Sequence, residues 1–300
     1  MDEMRTTSPE APASIAKVDA LVAWIRQRGR LAIGFSGGVD SAYLAVVARR
    51  VLGAENTLAI IGRSASYPAE QWATARSVAE SFGIGVLELD TDELSDPRYA
   101  ANPSNRCYFC KTELWSKLVP LADGLGFETV ADGTNADDLT DHRPGAQAAT
   151  EHSVASPLAQ FGFTKAEIRE QSRALGIPTW SQPSSPCLSS RLPYGTSVTP
   201  ERLGQVERAE RALRDLGIAG DMRVRHHDDL ARIELSHTIL DAWLQPPKLA
   251  ELQHAVASAG FARVALDLRG FRSGSLNVLH GGAEKHPRRA QDDKAGVTAG

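Results

Sequence analysis

The sequence predicts an α/β protein built on a doubly wound, mostly parallel sheet, with a smaller α+β domain at its carboxyl end. Three observations predict it. Short apolar runs alternate with helix-spaced amphipathic segments from residue 18 to residue 131, the pattern of strand–helix–strand crossovers. A glycine-bearing turn follows the first apolar run, at the strand end where an open α/β sheet places its ligand. After Gly195 the pattern changes to a helix, two closely spaced strand-like runs, a second helix and a last strand.

The elements follow in order. Residues 18–28 read as a helix leading to a strand over 31–35, whose Leu31, Ala32 and Ile33 form a short apolar run. The glycine turn and a helix to residue 52 come next, then a strand over 57–61. Pro68 opens a helix to residue 82, a position proline favours because its missing N–H has no intrahelical partner there. A strand over 85–89 is followed by a long polar loop to Arg106, a helix over 110–121 and a fourth strand over 128–131. Thr164 and Glu167 have capping-box spacing and mark a further helix start. In the second part, helices are expected over 201–216 and 247–259, and strands over 222–226, 231–235 and 264–268. The expected organisation is a polar, disordered tail over 1–14, a nucleotide domain over 15–195, a small α+β domain over 196–280 for substrate binding or oligomerisation, and a second disordered tail over 281–300.

Composition limits the partners. The formal net charge of −4 gives no support for a strongly basic nucleic-acid surface. No run of about 18 apolar residues suggests a membrane span, and the amino terminus lacks the apolar segment of a signal peptide, so a cytoplasmic location is expected. The 3 cysteines, an odd count, favour metal or redox chemistry over a disulfide framework.

The turn reads Ser36-Gly37-Gly38-Val39-Asp40-Ser41. A glycine turn between strand and helix gathers backbone N–H groups and a positive helix end around a phosphate. Gly37 and Gly38 let the backbone approach an anion, Ser36 and Ser41 add hydroxyls, and Asp40 can cap the helix or help hold a metal. Neither the GxxxxGK[ST] nor the GxGxxG pattern is present. The loop resembles that of the N-type ATP pyrophosphatases, which attach AMP to a substrate oxygen and expel pyrophosphate. After the fourth strand, Asp132-Gly133-Thr134-Asn135-Ala136-Asp137-Asp138 supplies closely spaced carboxylates suited to Mg²⁺, in residue types that also make turns. Lys165, near a helix start, can reach a phosphate or stand as a solvated surface charge.

Cys107-Tyr108-Phe109-Cys110 and Cys187 admit four readings: zinc completed by a histidine, a redox pair, three unrelated buried thiols, or an iron–sulfur cluster on three thiolates with one iron open. The last fits the count best. On a strand through Arg223-Val224-Arg225, alternation places the two arginines on one face about 7 Å apart, suited to a phosphate or simply to solvent. His226 and His227 read as surface or loop residues.

Taken in order, SGGVDS at 36–41, RCYFCK at 106–111, DGTNADD at 132–138, RPG at 143–145, SPL at 156–158, TKAEIR at 164–169, PCLSSR at 186–191 and RVRHH at 223–227 resemble the LarE family of ATP-dependent sulfur transferases. The resemblance spans about residues 15 to 275. It implies adenylylation by MgATP of the carboxylates of pyridinium-3,5-biscarboxylic acid mononucleotide, then replacement of AMP by sulfur, on the way to a nickel-pincer cofactor. Carried onto this chain, it assigns the phosphates to Ser36, Gly37, Gly38, Asp40 and Ser41, with Gly133, Lys165 and Arg191 beside the cofactor. It assigns the metal to Asp137 or Asp138, the substrate phosphate to Arg223 and Arg225, and sulfur delivery to Cys187. Some members sacrifice the sulfur of that one cysteine. Others hold a [4Fe-4S] cluster on three, and the presence of Cys107 and Cys110 beside Cys187 favours the cluster. The family also implies a homo-oligomer acting on a small nucleotide. A tRNA thiolase and a non-enzymatic nucleotide-binding module with a zinc staple are the alternatives from other classes.

Overall fold

A computed structural model describes residues 10–140, 144–183 and 185–272 of the 300-residue chain. Helix α1 (Glu10–Arg28) leads to β1 (Leu31–Gly34), α2 (Val39–Leu52), β2 (Thr57–Arg63), α3 (Ala69–Ser81) and β3 (Gly85–Asp90). The short α4 (Pro97–Ala100), the long α5 (Arg106–Gly124) and β4 (Thr129–Ala131) follow, then α6 (Pro144–Glu151), α7 (Pro157–Gln160) and α8 (Lys165–Ala174). The second part comprises α9 (Pro200–Asp215), the antiparallel β5 (Met222–His227) and β6 (Leu230–Leu235), α10 (His237–Trp243), α11 (Pro246–Ala257) and β7 (Arg263–Leu266).

The first sheet is parallel throughout, in the order β3-β2-β1-β4, and the second is mixed, in the order β5-β6-β7. This is the α/β class expected. Strand alternation explains the double winding. On β1, Leu31 and Ile33 face a core with Leu21, Ile25, Tyr43, Leu44 and Ile168, supplied by α1, α2 and α8. Ala32 faces the opposite core with Trp115, Leu118, Phe127 and Val130 from α5, β4 and the connection between them. A strand covered on both sides must be apolar at successive positions, which is why β1 reads as an unbroken run. Each fully buried large side chain contributes roughly 1.5–3 kcal/mol of transfer free energy before entropy is subtracted. At Gly34, the last residue of β1, a Cβ would lie 2.5 Å from the Trp115 ring, so the close packing there calls for glycine.

Three boundaries differ from expectation. Helix α1 starts at Glu10, so residues 10–14, expected in the tail, are helical; residues 1–9 and the tail expected over 281–300 lie outside the described residues. Helix α5 starts at Arg106, four residues early, and so takes both cysteines of the CxxC pair into its first turns. The polar loop before it contains α4, whose N-cap Asp96 accepts from the Arg98 N–H at 2.9 Å.

Candidate active site at the carboxyl edge of the sheet

The strand order places two loops side by side. β1 is flanked by β2 and β4, so the chain leaves β1 toward one side and later returns on the other. Such a switch point opens a crevice at the carboxyl ends of the strands. The 36–41 loop leaves β1 here and the 132–138 run leaves β4, with Ile33 and Ala131 in register just before them.

Packing sets the glycines of both loops. Gly37 has φ +68°, and a Cβ on it would lie 2.6 Å from the Cβ of Ala75 on α3. Gly133 packs against the first turn of α2, where a Cβ would come within 2.7 Å of the Ser41 nitrogen. The place of Gly133 is therefore a backbone–backbone approach that holds the two loops together. Inside the first loop the Ser36 and Ser41 hydroxyls lie 3.2 Å apart, and the Ser41 hydroxyl donates to the Gly38 carbonyl at 3.2 Å. Gly38 caps α2 with no side chain on its first turn, leaving backbone donors and the helix dipole to meet an anion.

The charged groups meet across this crevice. The Lys165 ammonium ion-pairs with Oδ2 of Asp40, while its backbone N–H donates to Oδ2 of Asp137 at 2.8 Å. The other Asp40 oxygen, Oδ1, is buried without a partner among the described residues. Asp138 belongs to a local turn: its Oδ2 accepts from the Asn135 N–H at 3.1 Å, and Asn135 Oδ1 accepts from the N–H groups of Asp137 and Asp138. Asp132 accepts from Thr134 and from the Ser156 hydroxyl, which ties SPL to the end of β4. The capping box of Thr164 and Glu167 forms, and Lys17 of α1 clamps Glu167 at 2.7 Å, fixing the start of α8. Mg²⁺ takes one or two carboxylates and completes its shell with phosphate and water. Asp40, with its orphaned oxygen, and Asp137 fit that demand. Lys165 stands beside them as a cation.

The sulfur-bearing segment reaches the same edge. The Leu188 N–H donates to the Ser66 carbonyl at 2.8 Å, and the hydroxyls of Ser66, Tyr99 and Ser189 close a buried ring at 2.6, 2.7 and 3.1 Å. The next residue, Tyr67, donates to the Ser36 carbonyl at 3.0 Å, as Gln71 does at 2.9 Å. Ser66 and Tyr67 thus join the Cys187 segment to the glycine loop. Burial pushes the Cys110 thiol well up, assisted by the negative charge of Glu93 and by Cys187 and Cys107. Cys107 and Cys187 both act on the Cys110 thiol, and three thiols are a donor set that suits an iron–sulfur cluster in kind. Among the described residues no group of three or more His, Cys, Asp or Glu side chains closes around a single metal ion. A four-iron cluster is wider than one ion and asks only that thiols surround a space.

The three expected arginines are all buried. Arg191, expected beside the cofactor, is 1% exposed and saturated: it grips Glu210 through two contacts of 2.9 Å and donates to the Pro186 and Cys187 carbonyls at 2.6 and 3.1 Å. It supports the Cys187 segment from beneath. Arg223 and Arg225 share a face of β5, as alternation requires, and both are buried. Arg225 pairs with Glu234 at 2.7 Å and donates to the Ser190 carbonyl at 2.9 Å, so it too touches the PCLSSR segment. Burial, then the like charge of Arg191, lowers the Arg223 pKa to about 10. His226 is also buried, where a surface or loop position was expected; its Nε2 lies 3.1 Å from Gln205 and its ring packs on Phe261.

Sequence reasoning misses Ser66, Tyr67, Gln71, Tyr99 and Glu210. None lies in a motif-like run, and only the chain path brings them to the crevice. Two cavities of about 340 and 380 Å³ lie at the amino ends of β4 and β3, on the opposite edge, and take no part in the site. No helix among the described residues is long and apolar enough to cross a membrane.

Known proteins are similar to this chain in sequence. A family model of NAD synthase matches residues 17–102, the glycine loop and its flanking strands. The pyridinium-3,5-bisthiocarboxylic acid mononucleotide synthase of Lactiplantibacillus plantarum is 37% identical over 261 residues, covering 87% of this chain and 94% of that protein. The chain belongs to the LarE family. Membership makes it an ATP-using sulfurtransferase whose PP-loop domain is the parallel sheet described above. An uncharacterized protein of Synechocystis sp. is 46% identical to this LarE-family chain over 262 residues, covering 87% of it and 97% of the relative. An ammonia-dependent NAD+ synthetase of Methanococcoides burtonii is 46% identical over 158 residues, 49% of the chain and 57% of that protein.

Proposed function

We propose that this enzyme adenylylates the carboxylates of pyridinium-3,5-biscarboxylic acid mononucleotide and replaces AMP by sulfur, giving thiocarboxylates for a nickel-pincer nucleotide cofactor. The observation that carries the reading is the joining of two chemistries at one sheet edge. Asp40, Lys165 and Asp137 meet at the glycine loop, and Ser66 and Tyr67 tie the Cys187 segment to that loop.

In the first step a substrate carboxylate oxygen attacks the α-phosphorus of ATP and the bond to pyrophosphate breaks. The α2 amino terminus and Lys165 hold the phosphates, and Asp40 with Asp137 would hold Mg²⁺, which offsets phosphate charge when bound. In the second step sulfur attacks the acyl carbon and the C–O bond to AMP breaks. Arg191 and Ser189 hold Cys187 in place for this, and Arg223 with Arg225 would take the substrate phosphate at the neighbouring β5. A second round converts the other carboxylate.

For the sulfur source we propose a [4Fe-4S] cluster on Cys107, Cys110 and Cys187, which when bound would supply sulfide. The ligand count, three cysteines and no others, supports this reading. In the alternative, Cys187 gives up its own sulfur and becomes dehydroalanine. Anaerobic reconstitution with iron and sulfide, followed by iron counting, decides. About four irons per chain are expected; a single zinc, or loss of the elements of hydrogen sulfide from Cys187 after turnover, overturns the cluster. Pyrophosphate release that depends on the mononucleotide and not on tRNA separates this function from tRNA thiolation. The same proposal places the enzyme in the cytoplasm as a homo-oligomer, for which light scattering should return a multiple of 32.2 kDa.

A further inference from the structure

The segment that carries Cys187 is held on both sides. Before it, the Gln182 side-chain amide donates to Oε1 of Gln71 at 3.4 Å, and the Gln182 carbonyl accepts from Arg169 at 2.8 Å. Gln71 Nε2 in turn donates to the Ser36 carbonyl at 2.9 Å. After it, Leu188 and Ser189 meet Ser66, whose neighbour Tyr67 donates to the same carbonyl at 3.0 Å. Both ends of the sulfur segment thus return to one carbonyl of the glycine loop.

Tyr99 closes the second of these links. It is 1% exposed, and its hydroxyl lies 2.6 Å from that of Ser66 and 2.7 Å from that of Ser189, which are themselves 3.1 Å apart. Three hydroxyls in a ring can each donate one proton and accept one, so the buried ring satisfies itself. Around it Tyr99 packs in an apolar cluster with Leu188, Leu192 and Val198. Apolar contact is non-directional and lets packed segments slide, whereas hydrogen bonds fix distance and angle. The tyrosine is itself anchored. The Val198 N–H donates to the carbonyl of Ala100 at 2.8 Å, and the Gly195 N–H to that of Asn102 at 2.9 Å. Ser189, two residues from Cys187, is therefore held in register with Ser66 through Tyr99.

We propose that Tyr99 is a positioning residue for sulfur transfer: its hydroxyl registers the Cys187 segment against the glycine loop, so that the acyl adenylate formed there meets sulfur before water. The inference rests on the functional reading above and deepens it, and it holds for either sulfur source. An acyl adenylate has two fates. Attack by sulfur on the acyl carbon breaks the bond to AMP and keeps the substrate on the path to the thiocarboxylate. Attack by water breaks the same bond, releases a proton and returns the carboxylate. A displacement of about 1 Å in a reacting group can cost about 100-fold in rate, enough to hand the adenylate to water. The glycine loop keeps its own hold on α3 through Gln71 and through the packing of Gly37 on Ala75, so adenylylation does not depend on the Tyr99 hydroxyl.

The test measures pyrophosphate and thiocarboxylate in one reaction, using the anaerobically reconstituted full-length protein with MgATP and pyridinium-3,5-biscarboxylic acid mononucleotide. In Tyr99→Phe, pyrophosphate release should stay within about twofold of the parent, while the thiocarboxylate formed per pyrophosphate falls at least about tenfold. A ratio equal to the parent's overturns the proposal, including the case in which both rates fall together, which is what a merely structural role gives. Should Tyr99→Phe fail to fold, Ser66→Ala opens the same ring from another side and decides: a lower ratio supports the proposal and an equal ratio refutes it. A second readout needs no turnover. Iodoacetamide should label Cys187, located by peptide mass, several-fold faster in Tyr99→Phe than in the parent. If the parent makes no thiocarboxylate, the functional reading fails and this labelling decides the positioning role: faster labelling and it stands, equal labelling and it falls. If the parent makes thiocarboxylate at a ratio indifferent to Tyr99, the functional reading stands and the positioning role fails.

Discussion

Lys165 closes on Asp40 across 125 residues of sequence, and it does so at the amino end of the helix that follows the glycine loop. The pair leaves Asp40 with one engaged oxygen and one that has no partner among the described residues. Asp40→Asn should lower pyrophosphate release by at least about 100-fold, with the fold intact by circular dichroism. Lys165→Met should weaken ATP binding by about tenfold or more, read by calorimetry. Near-parental values for both variants would remove the crevice from the chemistry.

Gly133 tests the contact between loops. A methyl group at this position meets the backbone nitrogen of Ser41, which cannot move without shifting α2. Gly133→Ala should therefore destabilise the protein by about 1–3 kcal/mol, seen as a lower melting temperature. A melt identical to the parent's would mean that the loops are further apart than described.

Arg191 and Glu210 form a buried pair beneath Cys187. Arg191→Met leaves the glutamate uncompensated and should cost about 3–5 kcal/mol in urea unfolding, while Arg191→Met with Glu210→Leu should recover much of the loss. Cys187 should also react faster with iodoacetamide in the single variant, because the segment loses its hold on the Pro186 and Cys187 carbonyls. Unchanged labelling would show that Arg191 does not position the cysteine.

The same glutamate gives a pH dependence. Burial opposes its charge, but Arg191, the Val224 N–H and Arg223 together hold the Glu210 carboxyl below its usual range. A depressed carboxylate contributes stability that is complete above the unfolded pKa of about 4.3 and is lost as pH falls through the lower folded value. The stability gap between parent and Glu210→Gln should be flat from pH 7 to 5 and narrow below about pH 4. A gap that widens on acidification would reverse the assignment.

Much of the architecture is legible in the sequence because its signals are local. The apolar run Leu31–Ile33, the proline before α3 and the Thr164–Glu167 box each act within a few residues, and the strands and helices they imply are present. The start of α5 escapes such reasoning because Arg106, Cys107 and Tyr108 read as polar loop, and the contact of Arg106 with Asn102 forms only in the folded chain. The arginines escape it for a related reason. Strand periodicity gives the face a side chain occupies, not whether a glutamate waits opposite it, and Glu210 and Glu234 come from other elements.

Read alone, the chain specifies a glycine turn between strand and helix that can cradle a phosphate, carboxylates leaving a neighbouring strand, and three cysteines available to one chemistry. Hydrogen-bonding types, helix dipoles and spacing suffice for such statements, because they depend on neighbours in the chain. Tertiary packing is what makes Gly133 join two loops, sets Arg191 beneath Cys187 within the protein, and buries Arg106 without a carboxylate partner among the described residues. Those outcomes depend on which groups meet after distant segments pack, and on the low dielectric in which an unpaired charge becomes costly.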